Sequence, residues 1–528
     1  MTAVILPGTG RVLTGLAARQ VRWGALVVTA VAAGMSALVV TTYRTDAIDP
    51  AALAANPAIR TLFGEPVALD DPGGFTVWRT GTVLAVLIGV WAMLAATRIT
   101  RGEEDAGRWG ALLAGRMTLA RTVGQHLTVL AAAPVLTGAA VAGAMIAAGA
   151  GAMGAFLHGA GLAVAGCFFV AVGGLAAQLF PSRAAANGAA TAVLLIGLLA
   201  RMVGDGVAAL SWLRWLSPFG LLALTRPYDT NRGLPVAVLT VAGALMFAAA
   251  VRLAARRDVG GAILAPSTSR PPRLALLGSV PAFAVRRTLR PLAGWSLGVG
   301  AYFLLIGLVA SSMIGFLSDN PQFARLAAQA GFPELGTVEG YTATLFALLA
   351  VPAGAFVAVR LASVAADEAD RRLTLLLAAP LTRTRLLAAE AGAAAGGAVV
   401  LITIAGLATW AGTAGVGARL AAGAALAGAY NVLPIVLLCL GTAILALGWA
   451  PRAVAAVGVL PAAGGFLWQV TAVSVGAPAW VVGLSPFAHL AAVPTVAPDW
   501  PASAVMTAVA AGCAALGAIG YHRRDLRT

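Results

Sequence analysis

Long apolar runs dominate the chain, and short segments that carry charged residues separate them. A helix needs about 20 predominantly apolar residues to cross the hydrocarbon core of a bilayer, which is about 30 Å thick. Such runs occur about twelve times, although the stretches 127–180 and 388–447 each merge two of them. We therefore predict an all-α polytopic membrane protein. The predicted spans are 24–43, 80–97, 127–149, 157–180, 187–204, 234–254, 294–316, 342–364, 388–412, 420–447, 453–474 and 502–521.

Arginine placement predicts the orientation of these spans. The segment 251–293 carries eight arginines against one acid, Asp258, whereas the segments 44–79 and 317–341 are net acidic. Basic residues concentrate in cytoplasmic loops, so we expect both termini and the arginine-rich loops to face the cytoplasm. The segment 205–233, with three arginines on the predicted outer side, is an exception. The predicted location is the plasma membrane.

The two halves of the chain share four motifs that keep their order at a nearly constant offset, close to half the chain length. Each half holds six predicted spans, an even number, so the repeats would run parallel rather than inverted. We predict a six-span half at 1–258, a cytoplasmic linker at 259–283 and a second six-span half at 284–528. The motif pairs are Arg19-x-x-Arg22 with Arg287-x-x-Arg290, Asn56-Pro57 with Asn320-Pro321, Leu216-Ser217-Pro218-Phe219 with Leu484-Ser485-Pro486-Phe487, and Arg256-Arg257-Asp258 with Arg523-Arg524-Asp525.

The loop after the second span of each half contains a further repeated pattern, at 103–122 and 367–386. In both copies acids come first, a pair of leucines follows, and arginines come last. Carboxylates suit the first turn of a helix and arginines the last turn because of the helix dipole. The pattern predicts a short amphipathic helix at the cytoplasmic interface. One copy alone would be an ordinary capped connection, but its recurrence favours a surface that contacts another molecule.

Composition excludes several functions. The chain is 60% hydrophobic and only 10% charged, whereas soluble domains carry roughly 25% charged residues. All 35 basic residues are arginines, and a Walker A loop, GxxxxGK[ST], requires a lysine. If ATP drives this protein, a separate polypeptide therefore binds it. The net charge of +15 follows from arginines at the ends of spans rather than from a nucleic-acid surface. The four histidines and three cysteines lack metal-ligand spacing, so we predict no metal site and no catalytic residue.

Taken in order along each half, these motifs resemble the permeases of ABC-2 type exporters. The matching features are the arginine-bearing segment before the first span, the acid–arginine–LLA–P–TR pattern after the second, the LSPF before the last, and the RRD after it. The fused, duplicated arrangement is most similar to the polyketide-antibiotic (tetronasin-type) exporter permeases of actinobacteria.

The resemblance implies an elbow helix before the first span of each half and a coupling helix after the second. The coupling helix would touch a nucleotide-binding subunit, present in two copies, which would bind ATP and Mg²⁺. The chain itself would need no cofactor, and its cargo would be a hydrophobic or amphiphilic antibiotic or drug. The loops differ where Arg116 replaces Pro380 and where Gly107 stands opposite Arg371. The residues implied in coupling are Glu103, Glu104, Arg108, Asp367, Glu368 and Arg372.

Two other functional classes remain open. An ion-coupled carrier of the major facilitator type also has two six-span halves, but such carriers keep ionisable residues inside the membrane. All acids here are expected in loops or at the interface, with Glu390 at the mouth of the ninth span as the doubtful case. If the chain were a membrane enzyme, Asp70-Asp71 would be its candidate site. A solvated turn is the simpler interpretation of this acidic pair.

Few polar side chains fall within the predicted spans. Arg201 lies near the outer end of the fifth span, where it is expected to reach the interface by snorkelling. Asn431, Trp468 and Gln469 lie deeper and are candidates for the substrate path, although a role in helix packing is favoured.

Overall fold

The computed structural model describes residues 9–43, 64–114, 117–264, 274–319, 321, 336–369, 371–373, 381–474 and 477–524. These residues form helices and turns, and no strand occurs among them. Twelve helices in the described ranges are long and apolar enough to cross a membrane. The prediction of an all-α polytopic membrane protein with twelve spans is confirmed. Asn56-Pro57 and Asn320, which belong to one of the predicted motif pairs, lie outside the described residues.

The chain divides into two compact units, residues 1–270 and 271–528. The division falls within the predicted linker, 259–283, while the matching of the two halves as parallel repeats stays a prediction. The spanning helices of the first unit are α1 (Thr9–Thr41), α2 (Pro72–Thr97), α3 (Leu119–Ala147), α4 (Ala152–Leu179), α5 (Arg183–Gly206) and α6 (Leu234–Ala254).

Polar caps define where the helices of the first unit begin. The Asp71 carboxylate accepts hydrogen bonds from the Gly73 and Gly74 amides, and Pro72 occupies the first position of α2. Thr118 caps α3 and Ser182 caps α5 in the same way. Each cap satisfies amides that have no partner within the helix, so short polar connections suffice to start long apolar helices.

Helix α4 lies at the centre of the first unit, packed against α2, α3 and α6. Its glycines allow this close approach: a Cβ added at Gly159 would lie 2.4 Å from the Gly138 carbonyl oxygen of α3. Small residues at such contacts are the usual means by which helices associate in lipid. Packing therefore explains the glycines at this helix contact.

The second unit contains α7 (Val280–Asp319), α8 (Val338–Ala369), α9 (Arg383–Gly415), α10 (Ala422–Trp449), α11 (Pro451–Gln469) and α12 (Trp500–Arg523). Helix α10 is interrupted at residues 431–432, between Ala422–Tyr430 and Leu433–Trp449. Helix α11 contains a π-helical turn at Leu460–Gly464. Helix α10 packs against α8 and α12 at the centre of this unit.

The merged apolar stretches are each divided by a glycine in the left-handed backbone region. Gly149 (φ 102°) separates α3 from α4, and Gly417 (φ 73°) separates α9 from α10. Other residues rarely adopt this conformation, so these two glycines end helices that the apolar pattern alone would continue.

The predicted elbow helices are not separate elements. In the second unit the arginines before the first span belong to α7, a single helix of 40 residues with Pro291 inside it. At 1.5 Å per residue it is about 60 Å long, roughly twice the hydrocarbon thickness. The arginine-bearing end therefore continues the span instead of forming its own helix.

Candidate coupling site

The first paired loop begins as a continuation of α2. A π-helical turn at Arg98–Gly102 leads into a helical turn at Glu103–Asp105. Gly107, with φ 72°, breaks the helix, and a second short helix follows at Arg108–Leu113. The acids thus lie before the break, at the end of the second span, whereas the sequence pattern placed them in the first turn of the interfacial helix.

Glu103 and Arg108 form an ion pair across this break. The Arg108 guanidinium donates from Nε and Nη2 to the two Glu103 oxygens, at 2.6 and 2.8 Å. The Arg108 side chain is 60% exposed. Its hydrogen bond to Glu103 raises the pKa of Arg108 above its ordinary value. The Glu103 side chain is only 12% exposed, so the Arg108 guanidinium is the accessible charge of this pair.

Glu104, by contrast, is buried and fully engaged within the chain. Arg257 donates to both of its carboxylate oxygens, at 2.5 and 2.7 Å, and the Gly260 amide donates at 2.6 Å. Arg101 lies 3.3 Å away and is itself completely buried. Because Arg257 follows α6, these bonds join the loop after the second span to the end of the sixth.

The same cluster extends to the end of α4. Arg257 donates to the Gln178 side chain at 2.9 Å, and Arg101 donates to the Ala177 carbonyl at 2.9 Å and to the Gly261 carbonyl at 3.0 Å. The loop therefore contacts the ends of α4 and α6 through hydrogen bonds to buried, charged groups.

The second unit contains a corresponding pair. Arg524, which follows α12, donates to both oxygens of Glu368, with a distance of 2.5 Å to Oε1. Glu368 stands in the second loop where Glu104 stands in the first, and Arg524 holds the same place in its RRD motif as Arg257. In each unit a carboxylate after the second span thus binds the second arginine of the RRD motif.

Asp367 and Arg372 occupy the same loop. Asp367 forms an ion pair with Arg287 of α7, and Arg372 lies 3.6 Å from the other Asp367 oxygen. The Arg372 side chain is 61% exposed. Arg371 has φ 57°, so the backbone leaves the helix here as it does at Gly107. Residues 374–380, including the Pro380 that distinguishes the loops, lie outside the described residues, as does Arg116.

The second unit contains a buried ion network around Glu390, next to the paired loop. Glu390, which is 1% exposed, accepts from Arg287 at 2.7 Å and from Arg360 at 2.9 Å. When the halves are aligned on their paired loops, the corresponding position of the first unit holds His126. The His126 ring packs against Trp109 at 5.6 Å between centroids. The two loops therefore have different supports.

Sequence reasoning identified the carboxylates but missed the partners that bind them. Arg257, Arg524, Arg287 and Arg360 are distant in sequence from the acids they contact. The repeated RRD motif was a usable signal, because a charged motif retained after the last span of both halves suggests a common contact. Which of its two arginines faces the loop depends on helix rotation, which the pattern does not give.

Two of the three candidate substrate-path residues donate hydrogen bonds to the backbone of another segment. Asn431, at the break in α10, donates to the Ala491 carbonyl at 2.8 Å. Trp468 donates from its indole nitrogen to the Val481 carbonyl at 2.8 Å. Gln469 is partly buried. The first two bonds join spans to the segment 477–499; the substrate role of all three stays a prediction.

Arg201 does not snorkel to the interface as expected. It is 3% exposed, donates to Thr82 Oγ1 at 2.6 Å and pairs with Asp205 at 3.1 Å. Asp205, one turn further along the same helix, pairs with the Arg201 guanidinium inside the bundle. The Arg201 side chain therefore does not extend to the interface.

Comparison with known proteins identifies the family. The family model described as "Multidrug efflux system permease Rv1217c, C-terminal domain" matches residues 12–253 and residues 277–522. The multidrug efflux system permease protein Rv1217c of Mycobacterium tuberculosis (strain ATCC 25618 / H37Rv) is 30% identical over 496 residues, which cover 90% of this chain and 86% of that protein. The chain, a multi-pass membrane protein, thus belongs to the Rv1217c family of multidrug efflux permeases.

Proposed function

We propose that this permease is the transmembrane subunit of an ATP-driven exporter of the ABC-2 type. It would move hydrophobic or amphiphilic compounds out of the cell, with both termini in the cytoplasm. Two copies of a separate ATPase subunit would bind ATP and Mg²⁺ and contact the loops after the second and eighth spans. The tetronasin-type exporters are the relatives that the fused arrangement suggests.

One observation carries this proposal: both units attach the loop after their second span to the end of their sixth by a carboxylate–arginine pair. Arg257 binds Glu104 through two guanidinium nitrogens, and Arg524 binds both oxygens of Glu368 through Nη2. Hydrogen bonds between charged groups are strong, so movement of the loop would be transmitted to the last span of its unit. A connection that merely joins two helices does not require such an attachment, still less in both units.

The loop charges divide into two groups with different proposed roles. Glu104 and Glu368 are positioning residues, since their oxygens are occupied within the chain. The guanidinium groups of Arg108 and Arg372 lie at the surface, where a partner can contact them. We therefore assign direct contact with the ATPase subunit to the Arg108 and Arg372 side of each loop.

Exchange of charges within the two attachments tests the proposal. Reversal of both carboxylates, E104R with E368R, is expected to abolish transport and transport-coupled ATP hydrolysis while membrane insertion stays normal. Adding R257E and R524E to the same chain restores opposite charges and is expected to recover part of the activity. Unchanged activity in the reversed variant would reduce both loops to simple connections.

The neighbouring arginines of the RRD motifs supply the matched control. Arg256 and Arg523 are exposed, so R256E with R523E changes the same charge at the adjacent position without removing the attachment. This control is expected to keep wild-type coupling. Co-purification of the full-length permease with a soluble ATPase provides the first, independent readout.

Two buried carboxylates keep the ion-coupled carrier as a second candidate. Asp205 in α5 and Glu390 in α9 are 3% and 1% exposed. Asp205 lies in the last turn of its helix, Glu390 about 10 Å from the start of its own, and each is paired with arginine. An ion-coupled carrier would transport with ATP depleted and stop when the proton gradient collapses, the reverse of our expectation.

A further inference from the structure

An open groove lies between the first parts of α7 and α9 in the second unit. Pro281, Val285 and Leu289 of α7 form one wall, and α9 forms the other from Arg385 to Val400. The groove encloses about 560 Å³, within the range of cavities that hold small molecules. None of the residues implied in coupling or in the substrate path lines it, so it is a separate site.

The groove exists because α7 and α9 touch toward their ends but leave a gap near their beginnings. A Cβ added at Gly412 of α9 would lie 2.4 Å from the Leu304 carbonyl oxygen of α7, so the two backbones are in contact there. At Gly392 and Gly396, which line the groove, an added Cβ would meet nothing within 4 Å. The missing side chains therefore leave room for a ligand.

The groove is apolar and faces the surroundings of the protein. Val285, Leu289 and Val400 are exposed, and the only polar side chains in the lining are those of Thr288 and Arg385. Along α9 the lining covers 15 residue steps, about 22 Å, which is about half of the 40–45 Å thickness of a bilayer with its headgroups. The groove thus has the length of one lipid leaflet.

Arg385 places a positive charge at the beginning of this apolar groove. Its side chain is exposed, and no ion pair within the described part of the second unit involves it. Basic pockets between spanning helices bind anionic lipid headgroups. A guanidinium next to an apolar groove therefore matches a phosphate group attached to an acyl chain.

We propose that this groove binds one anionic phospholipid of the cytoplasmic leaflet, with its phosphate on Arg385 and an acyl chain along Gly392 and Gly396. Lipid surrounds a spanning helix, and anionic lipids are concentrated in the cytoplasmic leaflet. The choice of leaflet rests on the orientation given under the proposed function. The preference for an anionic headgroup depends on the arginine alone.

The first unit retains the arginine but not the groove. When the halves are aligned on their paired loops, Arg121 stands at the position of the groove arginine, and Thr128 replaces Gly392. When they are aligned on the Arg-x-x-Arg motif, Val21 corresponds to Leu289. Val21 is buried, whereas Leu289 is exposed. We therefore expect one lipid site per chain.

Two lipids that differ only in the headgroup test the proposal. The full-length purified permease is titrated in detergent micelles with dioleoyl phosphatidylglycerol or dioleoyl phosphatidylcholine, and native mass spectrometry counts the bound lipids. We expect phosphatidylglycerol to bind at least about fivefold more tightly, at one preferred site. Equal affinities, or two equivalent phosphatidylglycerol sites, would overturn the proposal.

Variants that fill the groove locate the acyl chain. G392L and G396L each place a side chain in the open gap and are expected to weaken binding of both lipids about tenfold, because the chain loses its apolar contacts. The matched control is G294L. Gly294 of α7 is exposed with nothing within 4 Å of an added Cβ, but it does not line the groove. Unchanged binding in both filled variants, or an equal loss in G294L, would refute the site.

Variants of two arginines locate the headgroup. R385Q is expected to bind phosphatidylglycerol no more tightly than phosphatidylcholine and to leave phosphatidylcholine binding unchanged. R290Q removes an exposed guanidinium of α7 that does not line the groove and is expected to keep the preference. The same loss in R290Q would show a general attraction by positive charge and would contradict a defined headgroup site.

The same spectra examine a second copy of the chain as the occupant. We expect wild type and G392L to have the same oligomeric state. A wild-type dimer that G392L converts to a monomer would show that the groove is a contact between copies and would overturn the lipid assignment. Because no ATPase subunit is present, lipid binding can hold even if ATP-driven export fails, and the two proposals fail separately.

Discussion

At the scale of single residues, Glu104 and Glu368 illustrate how a membrane protein retains a charged group at a helix end. Each carboxylate receives two hydrogen bonds from one guanidinium. The Glu104 pair is buried, and the Glu368 pair is partly buried. A buried ion pair gains little over an apolar pair of the same size, but removal of one partner leaves an uncompensated charge. The pairs therefore fix position more than they add stability, and single substitutions should be costly.

Neutralising Glu104 tests this difference against its neighbour. E104Q is expected to lower the stability of the first unit by about 3 kcal/mol, because Arg257 and Arg101 are left without their carboxylate. E103Q is expected to cost at most about 1 kcal/mol, because its partner Arg108 is 60% exposed and stays solvated. Thermal unfolding of the purified full-length variants measures both. Similar losses for the two variants would contradict the burial of Glu104.

The backbone at Gly107 gives a second residue-scale prediction. Its φ of 72° makes a side chain there unfavourable by about 1–2 kcal/mol, so G107A is expected to destabilise the loop. G110A, in the helix Arg108–Leu113 with open space around it, should instead stabilise by up to about 1 kcal/mol.

A melting temperature lowered by G107A and raised by G110A, relative to wild type, would confirm the left-handed turn at Gly107. Arg371, at φ 57° in the second loop, extends the comparison, since R371G should relieve the same cost. A stabilising G107A would show that the helix continues through this position.

Sequence patterns reached only part of this residue-scale description. They placed Glu104 and Glu368 in matched loops, because spacing along the chain is retained between the halves. They did not place Arg257 or Arg524 beside them, and they gave Arg201 the wrong environment. Contacts between helices depend on rotation about each axis and on packing, which local hydrophobicity does not specify.

At the scale of elements, close helix contacts hold each unit together. In lipid there is no hydrophobic driving force between apolar helices, so packing of small residues takes its place. A Cβ at Gly138 of α3 would lie 2.2 Å from the Gly159 carbonyl oxygen of α4. Between α10 and α12, a Cβ at Gly448 would lie 2.3 Å from the Gly517 carbonyl oxygen. Each unit thus contains at least one backbone-to-backbone contact that excludes a side chain.

Valine substitutions on α3 test the helix contact. G138V is expected to separate α3 from α4 and to destabilise the first unit by about 1–3 kcal/mol, the usual cost of overpacking. Gly143 lies on the same helix with nothing within 4 Å of an added Cβ, so G143V should change stability little. The melting temperature of the full-length protein, with membrane insertion as a check, measures both. Equal effects would mean that valine itself, not the contact, is responsible.

The elements were the most predictable part of the fold. All twelve apolar runs correspond to helices, since the length needed to cross a bilayer is a strong constraint on sequence. The elbow segments were less predictable. An amphipathic stretch next to a span has the same helical period whether it continues the span or turns away, and in α7 it continues.

At the scale of the whole molecule, two compact units have matching attachments and different supports. The second unit adds the Glu390 network beneath its loop, while the first unit has His126 against Trp109. A fused chain permits such differences, because the sequence of each half can change independently of the other. We therefore propose that the paired loops of both units take part in coupling.

Transport into proteoliposomes tests the central claim most directly. The permease and its co-purified ATPase are reconstituted, and uptake of a fluorescent amphiphile into vesicles is measured with ATP and Mg²⁺ present and the proton gradient collapsed by an ionophore. We predict that uptake continues under these conditions and stops when ATP is removed. Uptake that persists without ATP and disappears with the proton gradient would contradict the account.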